Sequence, residues 1–240
     1  MDINEFSNSL KKYSNKVGIE LTDEQVSSFY KYMGMLLDWN EKVNLTAITE
    51  PNEVIMKHFV DSITINKYVD KNASVIDVGT GAGFPGIPLS IIRSDSKVTL
   101  MDSLNKRIKF LDEVINENNL INVKTIHSRA EELGNNPKYR EQFDIATSRA
   151  VASLNVLLEY LLPFVKVGGY CICMKGANVE DEIKDAKKAL EVLNGEIVDI
   201  ESFNLPDTDY SRNIVIVKKT GNTPKKYPRK PGTPAKEPLV

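Results

Sequence analysis

The sequence predicts an α/β protein with a mostly parallel seven-stranded sheet, a C-terminal antiparallel hairpin and an N-terminal helical appendage. Three observations carry that prediction. From Ser74 onward seven short, β-branched apolar runs follow one another, and the first five are separated by helix-like segments. The last two runs, EIVDIESF and RNIVIVKK, have no helix between them, which makes a hairpin at the sheet edge the economical reading. Before Ser74 the apolar residues recur at helical spacing instead.

In chain order, LTDEQVSSFYKYMGMLLDWNEKVNL opens with Thr22 and Gln25 as a capping box. Val26, Phe29, Tyr30, Met33, Leu36 and Leu37 then form the apolar face of an amphipathic helix, closed by Trp39 in a packing role. Pro51 starts a second helix, PNEVIMKHFVDSITINKYV. Residues 1–70 are thus expected to form the appendage, residues 71–219 the sheet domain and residues 220–240 a tail. Alternation of strands VIDVG, KVTLMD, VKTIH, FDIATS and GGYCICMK with helices such as SLNKRIKFLDEVINENN implies βαβ units. Cys171 and Cys173 share one face of their strand and read as buried thiols, not a disulfide or metal site. No metal site is expected elsewhere.

Gly79, Gly81 and Gly83 follow the first strand directly, and a helix is expected from about residue 86 to 93. An open parallel sheet binds its ligand at such a turn, where the helix start offers N–H groups and a positive dipole end to an anion. Pro85 and Pro88 remove two donors, so a carboxylate suits the site better than a pyrophosphate. Gly81-Ala-Gly83-Phe-Pro-Gly86 also fits the dinucleotide pattern. Asp77 before Gly79, and the run LLPFVKVGGYCICMK, shift the balance away from it. Asp102, ending the second strand, lies where a carboxylate accepts ribose hydroxyls of either type of adenosine cofactor; its structural alternative is a helix cap.

The stretches VIDVGTGAGFPGIPL, LMDSLNKRIKFL, SRAEEL, FDIATSRAVASL and YPRKPGTPAKEPL, with NEKVNLTAIT and KHFVDSI in the appendage, resemble the bacterial 16S ribosomal RNA methyltransferase G family, also called glucose-inhibited division protein B. The resemblance spans nearly the whole chain. It implies a class I S-adenosylmethionine-dependent methyltransferase fold, S-adenosyl-L-methionine as cofactor, and methylation at N7 of a guanine in the 530 loop of 16S ribosomal RNA. It also places Gly79, Phe84, Ala130, Glu131 and Arg149 around the cofactor, where the glycine turn and the strand end already put Gly81 and Asp102, with Glu131 near the adenine amino group.

The residues agree with that chemistry. A guanine N7 has a free lone pair and loses no proton, so transfer needs alignment and no general base. After the fourth strand stands Ser148-Arg149-Ala150, not the Asn/Asp-Pro-Pro-aromatic run of exocyclic-amine transfer or the Pro-Cys of pyrimidine attack. Arg149 forked onto guanine O6 and N7 would cover the attacking atom, so it is assigned to the methionine carboxylate or, alternatively, to an RNA phosphate. Arg129, Lys175 and Arg212 are expected on phosphates. His58 is assigned a structural role with Asp61, and His127 a packing role. Two other readings share the glycine pattern: a nicotinamide-dependent oxidoreductase and a ribosome-assembly factor that binds RNA without catalysis.

Charge is split along the chain. The last 23 residues carry seven Lys/Arg against one Glu and five of the eleven prolines, leaving 24 basic and 32 acidic residues before them. A basic, Pro-rich end is expected to be a polyanion-binding arm, with Lys225, Lys226, Arg229 and Lys230 on RNA; the bland alternative is a solubilising disordered tail. Tyr210 and Tyr227 are the candidates for stacking platforms. No leader or long apolar segment is evident, so a cytoplasmic monomer is expected, acting on RNA in a 30S subunit or an assembly intermediate and not on a membrane.

Overall fold

The capping box at Thr22 forms: its hydroxyl accepts from Gln25 N at 3.2 Å while the Gln25 side chain accepts from Thr22 N at 3.0 Å. Both satisfy donors that a helix start leaves free. In the computed structural model, which describes residues 1–240, the helical layer comprises α1 (Ile3–Lys16), α2 (Asp23–Val43), α3 (Pro51–Val54) and α4 (Asp61–Ile63). Between α3 and α4 the chain is π-helical over Ile55–Val60, a rare form that occurs mostly as a bulge within α-helices and frequently at functional sites.

The sheet domain runs β1 (Ser74–Val78), α5 (Gly86–Ile92), β2 (Lys97–Asp102), α6 (Asn105–Glu117), β3 (Val123–His127), α7 (Ala130–Leu133), β4 (Phe143–Arg149) and α8 (Leu154–Leu161). It continues with β5 (Val165–Lys175), α9 (Glu180–Asp185), α10 (Lys187–Leu193), β6 (Gly195–Asn204), β7 (Ser211–Lys219) and, in the tail, α11 (Thr233–Lys236). Strand order is β3-β2-β1-β4-β5-β7-β6, with β7 antiparallel to both its neighbours and the rest parallel. The hairpin therefore forms, but its second strand docks on β5. Burial explains the choice: Asn213–Val217 of β7 are all buried, whereas β6 is mostly exposed or half-buried and takes the edge. Gly168 and Gly169 lie within β5, which begins three residues before them at Val165, and its pairing with β4 shifts register there.

Alternation along the strands builds two cores. Val75, Ile145, Ile172 and Ile214 face the layer containing Phe6, Phe29, Tyr32, Phe59 and Phe110. Ile76, Ala146, Cys171, Cys173 and Val215 face α8 and α10. The cysteines do share a face, and burial pushes the Cys173 thiol up to about 12. Tyr32, absent from the predicted helix face, is fully buried and donates its hydroxyl to Ala82 O. The appendage is thus one wall of the main core.

A polar tie fastens that wall to the end of β4. Arg149 Nη1 donates to Lys57 O at 2.9 Å and to Asp61 Oδ2 at 3.1 Å, and Nη2 lies 3.1 Å from His58 Nδ1. Arg212 Nε donates to the same Asp61 oxygen at 3.0 Å. A guanidinium only donates, so His58 Nδ1 accepts and Nε2 carries the hydrogen facing Thr46 Oγ1, 2.8 Å away. Burial, then the Arg149 charge, pushes the His58 imidazole down to about 3. The structural role read for His58 and Asp61 is realised through Arg149.

The tail is folded, contrary to the expected arm. Tyr227 is buried and so offers no stacking platform. Arg229 is engaged internally, its Nε and Nη2 donating to the fully buried Glu159 at 3.0 and 2.6 Å. Arg140 donates to Tyr227 O and Thr223 O, and Lys219 Nζ to Glu141 Oε1 at 2.7 Å. Lys225, Lys226 and Lys230 remain exposed.

Arg229→Ala leaves Glu159 buried without its partner; we expect a loss of about 3 kcal/mol, read from the urea midpoint. For His58, the unfolded imidazole takes up a proton as pH falls through 6.5, and the folded one not until about 3. Stability is therefore retained above pH 6.5 and lost on acidification toward 3. Asp77, raised to about 6 by burial, acts in the opposite sense between pH 3.8 and 6. The stability gap between the parent and His58→Gln cancels that contribution, and it is expected to shrink from pH 7 to pH 4 in urea titrations.

Candidate active site

The crevice lies where the sheet order reverses, outside the carboxyl ends of β1 and β4. After β1 the backbone crosses in a ribbon with positive φ at Gly79, Gly81 and Gly83. Gly79 N and Thr80 N both donate to Met101 O, at 2.8 and 3.0 Å. Asp77 Oδ2 accepts from Thr80 Oγ1 at 2.6 Å and Gly86 N at 2.8 Å, while its Oδ1 is buried without a partner. Asp102 grips the ribbon from the other side, Oδ2 accepting from Gly81 N at 3.0 Å and Arg107 Nη1 at 3.2 Å. Its Oδ1 accepts from Leu104 N at 2.9 Å in the turn ahead of α6, whose N-cap is Leu104 without a side-chain cap, so Asp102 shapes the entry to the helix and does not cap it. A Cβ on Gly86 would stand 2.2 Å from Leu100 Cδ2, so this glycine sets helix packing and does not line the cleft.

The ribbon floors a cleft of about 430 Å³ lined by Gly79, Gly81, Phe84, Asp102, Arg107 and Arg149. Past Asp102 and Val151 it continues into a lobe of about 190 Å³ with Met101, Arg129, Ala130, Glu131 and Tyr160. All seven residues expected around the cofactor therefore share one connected crevice. Phe84 stacks on His58 at 4.3 Å between ring centres, and the Arg149 guanidinium lies 4.9 Å from the Phe84 centroid. Phe84 is both cleft wall and core. On the far side of Arg149 and Val151 a wider cavity of about 750 Å³ adds Lys57, Asp61, Lys175, Glu182 and Arg212.

These residues fit an adenosylated amino acid. A Cβ on Gly79 would lie 2.8 Å from Val151 Cγ2, so only glycine leaves that gap open. The narrow lobe pairs apolar Met101 and Val151 with a carboxylate, Asp102 stands at its neck, and the cationic Arg149 lies at the opposite end. Glu131 keeps one oxygen for a ligand, because its Oε1 accepts from Gly232 N of the tail at 2.9 Å. Ala130 opens α7 at the lobe wall.

Several expected RNA contacts are placed differently. Lys175 is buried, with Nζ donating to Ala152 O at 2.7 Å and lying 2.5 Å from Glu182 Oε2, so it is not a surface phosphate ligand. Arg212 is ion-paired to Asp61 and about three-quarters buried, yet lines the wider cavity. Arg129 is exposed and free of ion pairs. His127 is exposed with Nε2 3.1 Å from Ser103 O, not packed. Tyr210 is 43% exposed, with Lys57 Nζ over its ring. Sequence reasoning missed Val151, Glu182 and Lys57. Lys57 and Val151 carried a signal, as members of the stretches KHFVDSI and FDIATSRAVASL; Glu182 carried none.

The chain matches the GidB family, described as rRNA small subunit methyltransferase G, over residues 25–215. A protein of Acetivibrio thermocellus named ribosomal RNA small subunit methyltransferase G is 56% identical over 224 residues, covering 93% of this chain and 92% of that protein. One of the same name from Alkaliphilus oremlandii is 51% identical over 237 residues, covering 98% and 99%. Among solved structures, M. jannaschii TYW2 in complex with AdoMet aligns with a TM-score of 0.53 at 18% identity, covering 66% of this chain and 76% of that one. A SAM-dependent methyltransferase from Aquifex aeolicus gives 0.53 at 18%, covering 75% and 97%. These likenesses speak for the fold, that of class I S-adenosylmethionine-dependent methyltransferases. With the family match spanning most of its length and relatives above half identity, the chain belongs to the rRNA small subunit methyltransferase G family.

Proposed function

We propose that this chain transfers a methyl group from S-adenosylmethionine to N7 of a guanine in the 530 loop of 16S ribosomal RNA. It acts as a cytoplasmic monomer on a 30S subunit or an assembly intermediate. Family membership supports the reaction class and the RNA class. The observation that carries the reading within the structure is the continuity of the glycine-floored cleft, through Arg149 and Val151, with a wider cavity bearing four cationic side chains.

When bound, S-adenosylmethionine supplies an electrophilic methyl on a sulfonium. The chain's part is placement. The glycine ribbon and Arg149 hold the amino-acid end, Asp102 takes the ribose hydroxyls, and Ala130 and the free oxygen of Glu131 address the adenine edge. Phe84, His58 and Val151 wall the junction against water. The titratable groups around that junction are committed: His58 is neutral with Nδ1 held by Arg149, and Asp61 is shared by two arginines. Such a set suits an acceptor with a ready lone pair, which is what guanine N7 presents. Arg129, Lys225, Lys226 and Lys230 are the exposed cations that reach RNA phosphates.

Incubation of small-subunit particles with tritiated S-adenosylmethionine, followed by mapping of 7-methylguanine, is expected to place the label on a single guanine. Label at another atom, or none, defeats the reading. Arg149→Lys keeps a charge but cannot serve Lys57 O, Asp61 and His58 together; we expect kcat/KM to fall about tenfold or more. Replacing Lys225, Lys226 and Lys230 with Ala is expected to flatten the log-log salt dependence of RNA affinity by about 2, at about 0.7 per single-strand contact. Filter binding across salt concentrations reads it.

A further inference from the structure

Lys175 and Glu182 present a built donor and acceptor pair on one wall of the wider cavity. The Lys175 side chain is 7% exposed; its Nζ donates to Ala152 O and is ion-paired with Glu182 Oε2 at 2.5 Å, which engages at most two of its hydrogens. An ammonium has a third. Glu182 is pinned as well, its Oε2 accepting from Leu154 N at 2.7 Å, while Oε1 accepts nothing from the chain on a side chain that is 30% exposed. A fixed donor thus stands beside a fixed acceptor, both facing a space that opens on the cofactor cleft at Arg149 and Val151. The carboxylate of Asp61 in the same cavity is already neutralised by Arg149 and Arg212.

We propose that the Lys175 and Glu182 pair selects guanine as the acceptor base, an inference that rests on the proposed methyl transfer to guanine. Guanine carries its O6 acceptor next to the N1–H donor, and the pair meets them with two charge-assisted hydrogen bonds. Adenine and cytosine carry an amino donor next to an acceptor nitrogen, the reverse polarity. Against this wall their amino group would face the ammonium and their lone pair the carboxylate, so polar groups would be desolvated without partners. Uracil shares guanine's polarity but has no nitrogen corresponding to N7. Docking through O6 and N1–H leaves N7, on the far side of O6, uncovered and turned toward the junction with the cleft. The same residue read from sequence as a phosphate contact is thereby assigned to base recognition, because a buried, ion-paired ammonium is poorly placed for a phosphate on the surface.

Small-subunit particles carrying guanine, inosine or 2-aminopurine at the methylated position test this directly. Inosine keeps O6 and N1–H; 2-aminopurine keeps N7 but has neither. We expect inosine to be used within roughly threefold of guanine in kcat/KM and 2-aminopurine to fall roughly ten- to hundredfold below it. Lys175→Met is expected to shrink that ratio by slowing guanine. Glu182→Gln, which retains an acceptor for Leu154 N, is expected to shrink it by speeding 2-aminopurine, whose N1 can accept from the amide. In both variants the calorimetric Kd for S-adenosylmethionine should stay unchanged. Equal use of guanine and 2-aminopurine by the parent, or an unchanged ratio in both variants, overturns the proposal. Failure of the parent to methylate the guanine-bearing particle would instead overturn the proposed function.

Discussion

One buried guanidinium joins the two halves of this molecule. Arg149 ends the central strand β4, and its donors run to a carbonyl, a carboxylate and an imidazole of the Ile55–Ile63 helical turn. A charge so far from water is tolerable only when paired and hydrogen-bonded, and Asp61 supplies the pairing while itself held by Arg212. The appendage therefore cannot shift without unpairing Arg149, and Arg149 cannot shift without opening the boundary between the two cavities. Fold stability and the geometry of the site are, at this point, the same set of contacts.

The acidic side chains follow a related logic. Asp77, Asp102, Glu131 and Glu159 are buried, and each accepts at least one backbone N–H from a loop, a helix start or the tail. A carboxylate with two oxygens can hold a segment that has no secondary structure of its own. The ribbon, the start of α6 and the turn at Gly232 are all fastened in this way. The charge split between body and tail is accordingly an internal complement, with Glu141 meeting Lys219 and Glu159 meeting Arg229. Part of what reads along the chain as surplus basicity is thus paired inside the protein, and Lys225, Lys226, Lys230 and Lys236 are left exposed.

The overlapping dinucleotide pattern shows how a motif can match in letters and differ in use. Gly86, its third glycine, sits against Leu100 and Asp77 beneath the helix, outside the cleft. Gly79, which the pattern does not include, faces the cleft beside Val151. The Asp77 carboxylate ties both ends of the turn together.

The gathering of Ala130, Glu131 and Arg149 at the cofactor turn was implied by the family resemblance, whereas local periodicity, caps and glycine placement were sufficient to foretell the helical layer, all seven strands and the turn itself with Asp102 beside it. Those features are set by neighbours within a few residues, or by the rule that ligands bind where a parallel sheet reverses its order. The partner of each charged side chain was decided only by the tertiary structure. Arg149 meets Asp61 and Arg229 meets Glu159 across 88 and 70 positions, separations that no spacing rule spans. A basic residue far along the chain reads the same whether it faces solvent or a buried carboxylate, because its charge is local while its desolvation depends on everything packed around it.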